Sequence, residues 1–260
     1  MLPAVPYLKL GKRAPKFDKR TLKMSKYITP ALAPAPVSCD WTQRKVNWGM
    51  MLNDSLGDCT IAACAHAIQV WSLCNPAGLA VGQTEITVVD SDILKMYEKS
   101  CGYNPSDPAT DEGGVELDVL NFWRHNPLHG HHLKAYAEPD PGNFQHIKQS
   151  IWLFGGVYIG LALPITAQSQ DVWDVVGDPL NDPDSMPGSW GGHAVYVPAY
   201  DSAGLTMITW GQLKRMTKAF WNAYCDESHA LVGGWWVRDR ATPSGFDYAT
   251  MINDLAGITG

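Results

Sequence analysis

Asn53-Asp54-Ser55-Leu56-Gly57-Asp58-Cys59-Thr60-Ile61-Ala62-Ala63-Cys64-Ala65-His66 decides the fold. A polar, turn-forming stretch hands over at Cys59 to small and apolar residues. Ile61, Cys64, Ala65, Ile68 and Trp71 recur at helical spacing, which predicts a helix over 59–74, closed by Asn75-Pro76. A thiol at the opening of a helix meets unpaired N–H groups and the positive end of the dipole. Both favour the thiolate, and the same N–H groups can stabilise an oxyanion. Roughly 130 residues later Gly191-Gly192-His193-Ala194-Val195 places a histidine at the opening of an apolar strand. Cys59 and His193 are thus candidates for a cysteine nucleophile and its base. His66 lies two turns deeper than Cys59 and reads as a hydrogen-bonded core residue.

Working outward, Val89 to Lys99 and Val115 to Arg124 carry helical periodicity, the latter after a turn at Gly113-Gly114, and complete a helical half. The following half is strand-rich. A short helix over 144–153 leads to an alternating apolar strand at 156–163, then a long loop over 174–190. Next comes a hairpin, with His193 to Tyr200, a turn at Asp201-Ser202-Ala203-Gly204, and Leu205 to Trp210. Pro198 cannot donate to a ladder and marks an edge or a bulge. Pairing Tyr200 with Leu205 puts Ile208, Trp210 and Gln212 on the face of His193. Gln212, the polar member, is the expected orienting partner of the imidazole, and Trp210 its shield.

The cysteine and histidine, in this order, resemble the papain-like cysteine peptidases, and further residues extend the resemblance. Cys39-Asp40-Trp41 followed by Val46 is similar to the start of that family's domain. Asn53 falls where the family keeps its oxyanion glutamine. Glu112-Gly113-Gly114 falls where a Gly-Gly pair binds the substrate backbone, and Ile208-Thr209-Trp210-Gly211 falls on the family's Asn-Ser-Trp-Gly. The resemblance implies an α+β, two-lobed fold: a helical lobe built on the cysteine helix and an antiparallel, barrel-like β lobe. Cys59 and His193 would be catalytic, Asn53 would serve the oxyanion, and Gly113 and Gly114 would bind substrate. Two departures stand out. Ile208 replaces the asparagine that orients the family's histidine, and Leu56 replaces a common disulfide cysteine.

At 260 residues and 45% hydrophobic content, the chain can bury a substantial core. No apolar run approaches the roughly 20 residues of a membrane span, and no signal-peptide h-region is visible at the N-terminus. Six cysteines without CxxC spacing read as reduced thiols rather than a disulfide framework or zinc site. Cys59 is expected to be the most reactive of them. His129-Gly130-His131-His132 reads as a solvated loop rather than a metal site. No dinucleotide or phosphate-loop motif occurs, so no cofactor is expected.

Charge is uneven. Residues 1–27 carry eight basic side chains against Asp18, a net +7, while the other 233 residues carry 12 basic and 25 acidic groups, a net −13. This arm runs into Thr29-Pro30-Ala31-Leu32-Ala33-Pro34-Ala35-Pro36, an extended linker. The expected organisation is an arm over 1–38, a helical lobe over 39–140, a β-rich lobe over 141–240 and a C-terminal tail over 241–260. The arm can lie along its own acidic body or dock on an acidic partner, and the overall −6 disfavours nucleic acid.

Two functional readings remain open. One is a cysteine peptidase or amidase acting on a peptide or protein substrate. The other is an inert papain-like docking or structural protein, because the segment from Thr209 to Glu227 also resembles unannotated bacterial and tailed-phage proteins. The corresponding locations are cytoplasmic or virion-associated.

Overall fold

The computed structural model describes residues 8–29, 32–42, 47–73, 86–234, 236, 246 and 248–258. Its architecture is α+β. Helix α1 (Cys59–Leu73) is buried along its whole length, as a helix apolar all round must be. It carries no Lys, Arg, Asp or Glu, and its alanines let neighbours approach closely. Helices α2 (Asp90–Cys101) and α3 (Glu116–His125) bury one face each against it, with Ile93, Met96 and Tyr97 from α2 and Leu117, Leu120 and Trp123 from α3. Gly102, in the left-handed conformation, stops α2. Asn75-Pro76, the expected stop of α1, lies outside the described residues.

Among the described residues eight strands form one sheet: β1 (Cys39–Asp40), β2 (Leu133–Ala137), β3 (Val157–Leu163), β4 (Val172–Trp173), β5 (Gly191–Tyr200), β6 (Leu205–Thr209), β7 (Gln212–Met216) and β8 (Cys225–Gly233). The order is β2-β8-β3-β5-β6-β7-β4, with β1 also on β5, and all pairings are antiparallel except β4 with β7. The sheet is open, which corrects the expected barrel-like closure. One end turns to the helical half, where α3 and α6 (Tyr248–Ile258) cover β2, and the other ends in the two-residue β4.

Alternation along β3 and β5 divides the core in two. Tyr158, Ala194 and Tyr196 face α1, whereas Val157, Ile159, Leu161, Val195 and Val197 face a second cluster with Met207, Trp173, Phe220 and Trp221. Helices α4 (Phe144–Phe154) and α5 (Lys218–Tyr224) flank the sheet, capped by the Asn143 side chain and the Thr217 hydroxyl. Trp236 completes the core on the α1 side, with its ring edge-on to Trp41 at 5.2 Å. Trp235 lies outside the described residues.

The segment expected as a tail contributes α6, which buries Tyr248, Met251 and Leu255. The basic arm lies on its own body. Leu22, Met24 and Tyr27 are core residues, and Lys16, Lys23 and Lys26 pair with Asp118, Glu138 and Asp254.

Candidate active site

Cys59 opens α1 beneath β5, and the Ala194 N–H donates to its sulfur at 3.4 Å. The strand that carries His193 therefore crosses the mouth of the cysteine helix. The turn before Cys59 is fixed from below by Asp111, whose Oδ1 accepts from the Gly57 N–H at 2.9 Å and the Tyr97 hydroxyl at 2.7 Å. The same Tyr97 oxygen accepts from Gly113 at 2.9 Å, tying the Gly-Gly turn to the cysteine turn.

His193 is stacked on Trp210, with ring centroids 4.2 Å apart and planes 12° from parallel. Its Nε2 lies 2.7 Å from Thr209 Oγ1, and its Nδ1 has no hydrogen-bond partner among the described residues. With Nε2–H donating to the Thr209 hydroxyl, Nδ1 keeps a free lone pair, the state a general base requires.

The hydrogen-bond partner of the imidazole is thus Thr209, whereas Gln212 is exposed and pairs with Thr209 across the β6–β7 turn. The reason is a register shift. Tyr200 pairs with Leu205 and Ala199 with Thr206, but Tyr196 pairs with Ile208, so one extra residue sits in β5 around Pro198. A one-residue shift moves side chains to the other face. It turns Ile208 toward Tyr196 and α1 and brings Thr209 under the imidazole. Trp210 and Gly211 form the two-residue turn, both with positive φ (45° and 73°). A tryptophan in that conformation is strained, and its ring lies over His193.

Asn53 is buried before the cysteine turn, and its amide donates to Leu56 O at 3.1 Å. Burial pushes the Asp58 carboxyl well above its usual range, with the Asn53 amide pulling the other way. The neighbouring Asp58 charge adds to burial in raising the Cys59 thiol.

The cleft above Cys59 is filled by the arm. Gly11 N and Lys12 N donate to Gly192 O at 3.2 and 3.0 Å, Arg13 N to Gly114 O at 2.9 Å, and Gly114 N to Gly11 O at 2.7 Å. Lys9 bonds the Asn53 carbonyl, and Trp210 Nε1 donates to Lys9 O at 3.1 Å. Glycine is required where the chains cross. A Cβ on Gly11 would lie 1.8 Å from Gly57 O, and one on Gly113 would lie 1.9 Å from Gly11 O. The Lys12 ammonium enters a pocket, 2.8 Å from Asp226 Oδ2 and 3.1 Å from Glu227 Oε1.

Under this cover Cys59 and His193 are both uncharged. Burial pushes the Cys59 thiol up to about 12, although the Ala194 and Gly11 N–H groups favour its thiolate. Burial pulls the His193 imidazole down to about 3, with His66 adding to the effect. The expected most reactive thiol is therefore inaccessible and protonated with the arm in place. His66 is buried with Nε2 3.3 Å from Gly49 O. His129 pairs with Asp92 at 2.7 Å, a carboxylate partner that the sequence reading of this loop overlooked. Cys59, Cys64, Cys101 and Cys225 are free thiols, and Cys74 lies outside the described residues.

The fold is that of the papain-like cysteine proteases. Xylellain, a cysteine protease from Xylella fastidiosa, superposes with a TM-score of 0.63 over 87% of this chain and 96% of its own at 14% identity. Procathepsin L 3 of Tenebrio molitor larval midgut gives 0.54 over 87% and 77% at 13% identity. Recombinant stem bromelain precursor gives 0.52 over 88% and 78% at 14% identity. No protein-family model and no curated protein matches the sequence. The chain is a divergent example of the fold, and no described helix is long and apolar enough to cross a membrane.

Proposed function

We propose that this protein is a cysteine hydrolase of peptide or amide bonds, with Cys59 as nucleophile and His193 as base, held latent by residues 8–14 of its own chain. The observation that carries the reading is the placement of the His193 strand on the Cys59 sulfur, with Nε2 tied to Thr209 and Nδ1 free. With the cleft open, water restores charge to the dyad. Sγ transfers its proton to Nδ1 and attacks the acyl carbon, and the imidazolium delivers the proton to the leaving amine. Water, deprotonated by the same nitrogen, then hydrolyses the thioester. The Cys59 N–H and the second Asn53 amide hydrogen serve the oxyanion, while Gly113 and Gly114 align the substrate strand as they align the arm.

The arm acts as an inhibitor in this arrangement, because its Gly11 and Lys12 N–H groups donate to Gly192 O and its Gly11 carbonyl and Arg13 N–H bond Gly114, so it occupies the approach to Cys59. The inert particle-component reading is not favoured. The solved structures with this fold named above are cysteine proteases or their precursors, and a base lacking only its usual asparagine has acquired a hydroxyl partner. The test is hydrolysis of blocked fluorogenic peptide amides by the Gly11→Ala protein. Turnover is expected there, low in the native chain and absent in Cys59→Ala. Equal, negligible rates in native and Gly11→Ala proteins would count against the proposal.

A further inference from the structure

We infer that the acidic pocket next to Cys59 is the specificity pocket of the cleft and takes a lysine or arginine side chain of the substrate, with Lys12 as its resident stand-in. The inference rests on the hydrolase reading and adds the substrate class. The pocket belongs to the body. Glu116 comes from the start of α3, Asp226, Glu227 and His229 from β8, and Gly160 from β3. Glu116 is fully buried, and neither of its oxygens has a hydrogen-bond partner among the described residues. His229 Nε2 lies 3.6 Å from Glu116 and 3.5 Å from Glu227. Gly160 makes room for an aliphatic stem, since a Cβ there would lie 2.0 Å from Lys12 Cε.

A side chain exposed by only 1% that reaches this depth pays a desolvation cost which only close carboxylates offset. Burial lowers the Lys12 affinity for its proton, but Glu116, Glu227 and Asp226 together raise it above that of an ordinary lysine. When the arm leaves, the same carboxylates stay with the body, and a cationic side chain placed where Lys12 lies meets them at the same distances. Lys12 and Gly11 both donate to the carbonyl of Gly192, two residues before Ala194, whose N–H donates to the Cys59 sulfur. A peptide using the backbone groups of Gly114 and Gly192 as the arm does therefore sends a side chain into this pocket within one or two residues of the scissile bond.

Binding is measured so that catalysis is not required. Full-length protein carrying Cys59→Ala with Gly11→Ala, and separately with Lys12→Met, is titrated calorimetrically with blocked tetrapeptides differing only in Lys, Arg, norleucine or Glu at one position. Lys and Arg peptides are expected to bind at least ~10-fold tighter than norleucine, a preference that Glu227→Gln or Glu116→Gln erases. Equal affinity for lysine and norleucine overturns the inference, and so does a preference surviving both substitutions. Absence of binding to both cleft-opening variants also overturns it. Ligand atoms of Glu116, Glu227 and His229 lie within 4.8 Å of one another, so the titration is repeated in EDTA. A preference that vanishes there assigns the pocket to a metal ion instead. Lysine-selective binding without turnover once Cys59 is restored would keep this inference and remove the hydrolase reading. Turnover without selectivity would do the reverse.

Discussion

Gly11→Ala isolates the closed state of the cleft. The added methyl would sit 1.8 Å from the Gly57 carbonyl oxygen and 2.3 Å from its carbon, both backbone atoms that cannot swing aside. The arm must lift, and the four backbone hydrogen bonds that join Gly11, Lys12 and Arg13 to Gly192 and Gly114 are lost together. At a net value of about 1 kcal/mol each, their loss favours opening by about 4 kcal/mol. Every 1.4 kcal/mol is tenfold, so the open fraction rises by up to about 1,000-fold. The assay is the rate of Cys59 carboxymethylation by iodoacetamide at neutral pH, read by peptide mass spectrometry. In the native chain Cys59 is fully buried and slow, and in Gly11→Ala it becomes the fastest thiol. Cys64, inside α1, is the internal control for unfolding. An unchanged Cys59 rate in a folded Gly11→Ala protein would refute the argument. A parallel rise at Cys64 would show that the substitution opens the whole fold rather than the cleft.

Three further outcomes follow from the site. Thr209→Val in the Gly11→Ala background leaves Nε2 unpaired and is expected to lower kcat by about 10- to 100-fold, matching about 1.4–2.7 kcal/mol of lost orientation, while Thr209→Ser restores it; steady-state kinetics on one peptide amide distinguishes the three proteins. His193 has a depressed folded pKa, so its contribution to stability is present above about 6.5 and is lost as pH falls toward about 3. Denaturant melts across that window should show the native chain losing about 1.4 kcal/mol per pH unit more than His193→Gln, and coincident curves would contradict the buried neutral imidazole. Asp111→Ala strands the Gly57 N–H and the Tyr97 hydroxyl and should cost about 2–4 kcal/mol in the same melts; a cost near zero would show that the cysteine turn does not depend on it.

Much of this arrangement was legible in the chain. The α1 pattern, the Gly113-Gly114 turn and the hairpin from His193 appear within a residue or two of their expected places, because periodicity and turn chemistry are local. The orienting residue was misread although its signal was present. Pro198 marked a bulge, and carrying the one-residue shift through the hairpin puts Thr209, not Gln212, under the imidazole. The acidic pocket was not legible. Glu116 and Glu227 are 111 positions apart in the sequence, and only the packing of α3 against the β2–β8 end of the sheet brings them to one point. The arm's charge pointed to an acidic surface. That the surface was its own cleft depended on glycines at 11, 113 and 192, whose need appears only when the strands cross. The open sheet was missed because closure depends on edge strands, and β4 is two residues long with no turn signal of its own.

The central claim is that Cys59 and His193 carry out acyl transfer once the arm is displaced. The most direct measurement is acid-quench mass spectrometry of the Gly11→Ala protein turning over a peptide ester. The account predicts an adduct with the mass of the acyl half on Cys59, forming at least ~100-fold more slowly in His193→Ala and absent in Cys59→Ala. An adduct on any other residue, or one that forms on Cys59 at the same rate without His193, would contradict it.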